Sequence, residues 1–288
     1  MIQYFLYLLK IHERWSLTLK LKTFIILFLS TFISVYLVCG LYLSFHSRYV
    51  PQTKKQDLTT LLNQESFSDA DYTILFEQTG LTKPLIDEMR TMPHFTEKIQ
   101  AFQDNYLREV PVTREYLPPV TISETLEGDA PGFELGPYHN GYILLTKSTH
   151  TANWRHGHAG IVIDEVRGIT LEALNPGTYS MEQPISKWQY YPTVKMLRLK
   201  DTPQSTLDAI AQYAATHLKG LPYNILADKK QGAQPYETHC SLLVWQAFHQ
   251  FGYDLDATGG LFVSPKNMAM SPLLELLQIY GFNPDEVW

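Results

Sequence analysis

The chain has 288 residues, enough for one large domain or two small ones with a substantial core. Its 45% apolar content, with 18 tyrosines and 14 phenylalanines, is that of a globular protein and excludes a disordered one. A formal charge of −6 gives no support for nucleic-acid binding, which draws on a basic surface.

Residues 24–45 carry no charge (FIILFLSTFISVYLVCGLYLSF). At about 1.5 Å per residue, a helix of that length crosses the hydrocarbon core of a bilayer. A buried core helix would carry a polar face, and here only serines, one threonine and tyrosines interrupt the apolar run. A cleaved signal peptide fits less well, because the stretch before it is long and no A-x-A-like site follows. A lipoprotein would acylate Cys39, yet Val38 stands where a small residue is expected. The reading is an uncleaved anchor over 24–45, preceded by a cytoplasmic segment, 1–23, whose apolar start, 1–9, suits the membrane interface. Lys10, Arg14, Lys20 and Lys22 precede the span, and Arg48, Lys54 and Lys55 follow it. That bias leans weakly toward a cytoplasmic N-terminus and an extracytoplasmic main domain.

Residues 46–66 are polar and read as a tether. The stretch 67–137 reads as a helical section followed by an irregular, proline-rich linker from Pro111. Ser68 and Asp71 resemble a capping box, and Gly80 ends that helix. Pro84 suits the first turn of a second helix, and Phe95, Ile99, Phe102 and Tyr106 mark one face of a third. From Gly141 the pattern turns to strands, at 142–145, 158–164, 169–174 and 193–199. An amphipathic helix spans 202–220, with Leu207, Ile210, Ala211, Ala214 and Leu218 inward. A helix from Cys240 stops near Gly252, and a last helix is expected from Ser271 to Gly281. Residues 138–288 form the α+β domain.

Apart from Cys39 in the apolar segment, Cys240 is the remaining cysteine. Structural thiols outside the cytoplasm come in pairs, so a lone one there reads as reactive. It opens the apolar helix Cys240-Ser241-Leu242-Leu243-Val244-Trp245, whose start would lower the thiol pKa and aim backbone N–H groups at a developing oxyanion. His158, at the head of the strand His158-Ala159-Gly160-Ile161-Val162, is the candidate base, with Gly160 leaving room for a partner. If strands 158–164 and 169–174 form a hairpin turning near Glu165, Glu172 lies opposite His158 and can orient it. A one-residue slip would favour Asn175 instead.

These residues resemble the permuted papain-like amidases of the YaeF/YiiX type, relatives of NlpC-type cell-wall hydrolases. The matching features are Gly141 opening the first strand, His158-Ala-Gly-Ile-Val, Leu171-Glu172-Ala173, Pro222-Tyr223-Asn224 and Cys240-Ser241-x-Leu243-Val244. In ordinary papain-like folds the cysteine helix comes first; here the order is His, Glu, Cys, the permuted arrangement. The resemblance covers about residues 138–280 and implies a circularly permuted papain-like domain, an antiparallel sheet packed on the cysteine helix. It implies Cys240 as nucleophile, His158 as base and Glu172 as third member. Tyr223 and Ser241, with Asn175, become candidates for oxyanion or substrate binding. The family commonly has Gly-Asp at the first strand, where this chain has Gly141-Tyr142.

A zinc site built on His156, His158, His239 and Cys240 is the competing reading. It fits less well, since His239 and Cys240 are adjacent and diverge at a helix start. His156 reads as a residue that supports the site from behind or faces solvent, and His150, His239 and His249 read as surface or packing residues. The expected activity is cysteine-dependent cleavage of an amide bond in a peptide-like substrate, cell-wall peptide included, without metal or cofactor. A lipid-directed acyltransferase or thioesterase with the same triad, and a non-catalytic peptide- or lipid-binding domain, are the alternatives. The implied partners are a peptide-like or acyl-bearing substrate and, through the N-terminal helix, the membrane.

Overall fold

The computed structural model describes residues 20–40, 48–117, 121–151, 154–231 and 234–288. The expected N-terminal segment up to residue 19, with Lys10 and Arg14, and the end of the expected span at 41–47 lie outside the described residues. The chain divides into two units, 1–47 and 48–288. In the first, helix α1 (Lys20–Gly40) is long and apolar enough to cross a membrane, a property that signal sequences share. Its large apolar side chains, Phe24, Leu27, Phe28 and Phe32 among them, are exposed.

The second unit begins with the segment read as a tether, and here the structure differs. Leu58, which precedes the short helix α2 (Thr59–Leu62), and Leu62, its last residue, are buried in the main core. The Tyr49 N–H donates to the Gly281 carbonyl (2.8 Å), and Gln103 bonds both Gln56 and Gln78. Two leucines in a polar run suffice to fasten the segment down.

Helices α3 (Asp69–Thr79), α4 (Lys83–Arg90) and α5 (Phe95–Leu107) follow the sequence pattern. Ser68 and Asp71 close the capping box, and Gly80, left-handed at φ 71°, ends α3. Ile99, Phe102 and Tyr106 of α5 are buried, and they share one core cluster with the sheet.

The expected irregular linker contains a hairpin, β1 (Val112–Leu117) and β2 (Thr121–Leu126). Together with β4 (Thr149–Thr151) it forms a three-stranded antiparallel sheet. The flanking prolines mask two runs of Val, Thr, Ile and Tyr, residues that favour strands.

The main sheet has six antiparallel strands in the order β7-β6-β5-β3-β8-β9. They are β3 (Ile143–Thr146), β5 (His158–Asp164), β6 (Ile169–Glu172), β7 (Met181–Pro184), β8 (Val194–Leu199) and β9 (Leu274–Tyr280). Helix α6 (Gln204–Tyr213) continues as a π turn to Leu218 and packs, with α7 (Cys240–His249), against β5. A short helix, α8 (Pro265–Ala269), precedes the last strand.

That last strand replaces the helix expected at 271–281. Its sequence LELLQIY suits either state, and tertiary pairing decides. One edge of β9 pairs with β8 from Val194↔Tyr280 to Leu199↔Leu274. On the other edge, Thr82 N–H donates to Leu277 O and Ile279 N–H to Gly80 O. Both sides of the backbone are therefore hydrogen-bonded.

Candidate active site

Helix α7 starts where His239, extended at φ −137° and ψ 175°, leaves the chain ready to turn. The His239 ring caps it, accepting from the Leu242 N–H at 3.4 Å. Every residue from Cys240 to Phe248 is buried, so the thiol rides on a rigid, fully packed element. Cys240 itself is 8% exposed and lines a cleft of about 470 Å³.

His158 heads β5 on the sheet against which α7 packs, and is 4% exposed. The hairpin β5–β6 exists, but its register differs from the expectation. Ile161 pairs with Leu171, so one step further along the ladder Glu172 lies opposite Gly160, not His158. A shift of two residues keeps both side chains on one face, and Glu172 reaches His158 diagonally. The hydrogen bond is short: His158 Nε2 to Glu172 Oε2 is 2.6 Å. Gly160 makes the diagonal passable. A Cβ there would stand 2.9 Å from Trp188 Cζ2 and 3.1 Å from Glu172 Cγ.

Glu172 is fully buried, and its four hydrogen-bond partners are all donors. Oε1 accepts from Thr170 Oγ1 (2.7 Å) and Trp188 Nε1 (2.9 Å), while Oε2 accepts from His158 and from Lys187 Nζ (2.6 Å). Burial opposes its ionisation, but His158 and then Lys187 outweigh that and bring it down to about 2. The Trp188 ring stacks on His158, with centroids 5.6 Å apart and planes 14° from parallel.

With Nε2 held by the carboxylate, Nδ1 is the nitrogen left for the thiol. Burial disfavours the imidazolium, yet hydrogen bonds with Cys240 and Glu172, and the charges of both, push His158 up to about 9. Burial would raise the Cys240 pKa; hydrogen bonds and charge from His158 and His239 instead pull it well below the ordinary thiol value. The three groups form a row in which a thiolate at Cys240, an imidazolium at His158 and a carboxylate at Glu172 would each stabilise the next.

The remaining candidates divide. Tyr223 lines the Cys240 cleft, and burial followed by the Cys240 charge pushes its hydroxyl pKa up. Ser241 is buried and spends its hydroxyl on the Val263 carbonyl at 2.9 Å, a structural bond. Asn175 lines a second cleft, of about 440 Å³, on the His158 side, but does not replace Glu172 at the imidazole. The two clefts differ in kind. Tyr223, Ile225, Leu226, Phe262 and Val263 give the thiol side an apolar wall, whereas Glu115, Gln183, Lys187 and Tyr190 border the His158 side.

His239, by sequence a surface or packing residue, has a larger part in the structure: helix cap and neighbour of the thiol. The signal was available, because residue 239 directly precedes a helix start. Lys187 and Trp188 carry no motif, and only the fold brings them to Glu172. For the zinc reading, His156 bonds Thr151 Oγ1 (3.0 Å) and the Gly157 carbonyl (2.8 Å), His158 bonds Glu172, and His239 caps α7. Among the described residues, no three His, Cys, Asp or Glu side chains gather as a metal site.

No family model matches the chain, and no curated protein matches it. Among solved structures it is similar to the crystal structure of metalloprotein YiiX from Escherichia coli O157:H7, with 16% identity and a TM-score of 0.39. The match covers 49% of this chain and 97% of that one.

Proposed function

We propose that Cys240, His158 and Glu172 form a catalytic triad, and that the chain is a thiol-dependent hydrolase of an amide bond. The observation that carries this reading is the buried row Cys240–His158–Glu172, closed by the 2.6 Å bond from His158 to Glu172. A thiolate held beside an imidazolium is the reactive form of a cysteine nucleophile.

In this reading the Cys240 thiolate attacks the carbonyl carbon, forming a C–S bond and an oxyanion. The N–H groups of Cys240 and Ser241, at the start of α7, and the Tyr223 hydroxyl are the donors to that oxyanion. The intermediate collapses as the C–N bond breaks, and His158 gives its Nδ1 proton to the leaving amine. His158, now neutral, takes a proton from water, and hydroxide adds to the thioester. The C–S bond breaks, the acid leaves and the thiolate–imidazolium pair is restored. Glu172 keeps the imidazole oriented and stabilises its charge throughout.

The order His158, Glu172, Cys240 is what a circularly permuted papain-like domain would have. We also propose that α1 is a membrane anchor and that the domain lies outside the cytoplasm, where a lone thiol is best explained as reactive. The apolar wall beside the thiol supports a second reading, acyl transfer from a lipid donor through the same thioester. Both chemistries give a thioester at Cys240. Mass measurement of the full chain after exposure to acyl peptides and acyl lipids should find the acyl mass on Cys240. The adduct and the turnover should both vanish in Cys240→Ala. Full turnover by Cys240→Ala would refute the proposal, and binding without any adduct would point to a non-catalytic module.

A further inference from the structure

Glu172 Oε2 is shared. It accepts from His158 Nε2 and from Lys187 Nζ, each at 2.6 Å, while neutral donors occupy Oε1. Lys187 sits in the 3-10 turn Ile185–Tyr190, beside the Trp188 that stacks on His158, and its side chain is 24% exposed. A salt bridge that merely ties a turn to the surface would not need the one oxygen that orients the imidazole. Charges then alternate along the row: Lys187 positive, Glu172 negative, His158 positive, Cys240 negative. The sum is zero, which is how a buried charge cluster avoids a large desolvation cost.

We infer that Lys187 is a positioning residue of this site: by sharing Oε2 it holds Glu172 in place and keeps His158 acidic enough to release its proton to the leaving group. The inference rests on the triad proposed above. Without Lys187, His158 would face two anions and one fewer cation, so its imidazolium would hold its proton more tightly. Acylation needs the reverse, because His158 must surrender that proton as the C–N bond breaks.

Among the described residues, the other charged or titratable groups near His158 are Cys240 of α7, with His239 beside that thiol, and Glu172 of β6. Glu115 of β1, Tyr190 and Tyr191 border the same cleft as His158 and Lys187. Lys187 is the lysine of this set.

The test is the titration of His158 in the full chain in detergent micelles, with carbon-13-labelled histidine and the signal assigned by its loss in His158→Gln. Lys187→Gln keeps a donor toward Glu172 and removes the charge. Its His158 midpoint should rise by about one pH unit. Lys187→Arg should return it to within a few tenths of the parent value, and kcat should fall in Lys187→Gln with KM little changed. An unchanged midpoint in Lys187→Gln would overturn the inference and make Lys187 a structural tie. If Lys187→Gln does not fold, Lys187→Met is read against the same two outcomes. A parent chain whose His158 titrates at or below the ordinary imidazole value would instead count against the triad itself, so the two failures are distinguishable.

Discussion

Glu172 has no freedom to do anything but accept: four donors converge on a side chain with no exposed surface. Glu172→Gln would place an amide N–H against one of those donors and leave the imidazole free to adopt the wrong tautomer. On the proposed mechanism, kcat should drop about 10²–10⁴-fold with KM changing little, as steady-state kinetics on any turned-over substrate would read. The pH profile follows from the same row. Cys240 is ionised well below the ordinary thiol range and His158 loses its proton at about 9, so kcat/KM should hold a plateau through neutrality and fall on an alkaline limb near 9. The stability signs oppose each other. Glu172 contributes stability above the ordinary carboxylate range, lost as pH falls through about 2, and His158 contributes below its ordinary value, lost as pH rises through about 9. Most of the site was legible at this scale, because a lone thiol, a histidine strand and an acidic residue of matching parity are sequence features. Lys187 and Trp188 were not, since nothing in a polar 3-10 turn announces which buried carboxylate it will meet.

At the scale of elements, the β5–β6 hairpin decides whether Glu172 meets His158. Its register departs by two residues from the simplest pairing, with a bulge between Val162 and Asp164. Parity, which the alternating pattern does encode, survives such a shift; the exact partner does not. Gly160 is the element's most exacting position, because Glu172 and Trp188 both occupy the space above it. Gly160→Val should cost about 1–3 kcal/mol by overpacking and push Glu172 off His158. Chemical denaturation and a shift of the alkaline limb to lower pH would read the two effects separately. The elements missed in the sequence were missed for physical reasons. Strands β1 and β2 are short and flanked by prolines, and β9 has leucines that suit a helix until two neighbouring backbones claim its hydrogen bonds.

For the molecule as a whole, the core does not respect the boundary between the helical section and the α+β domain that follows it. Leu58, Leu62, Leu85, Ile99 and Tyr106 belong to the cluster that includes the sheet and α7. A chain starting at Arg48 should therefore keep its cooperative unfolding. Starting at residue 67 instead removes Leu58 and Leu62, each worth about 2–5 kcal/mol, and should lower the thermal midpoint sharply. Equal midpoints for the two truncations would contradict the packing described. The claim on which everything else depends is the ionised thiol, and alkylation of Cys240 as a function of pH tests it most directly. In the full chain carrying Cys39→Ser, the rate with iodoacetamide should stay high down to pH 6, and His158→Ala should restore ordinary thiol behaviour. A rate that falls about tenfold per pH unit below pH 8 in the parent chain, as for an unperturbed thiol, would contradict the account.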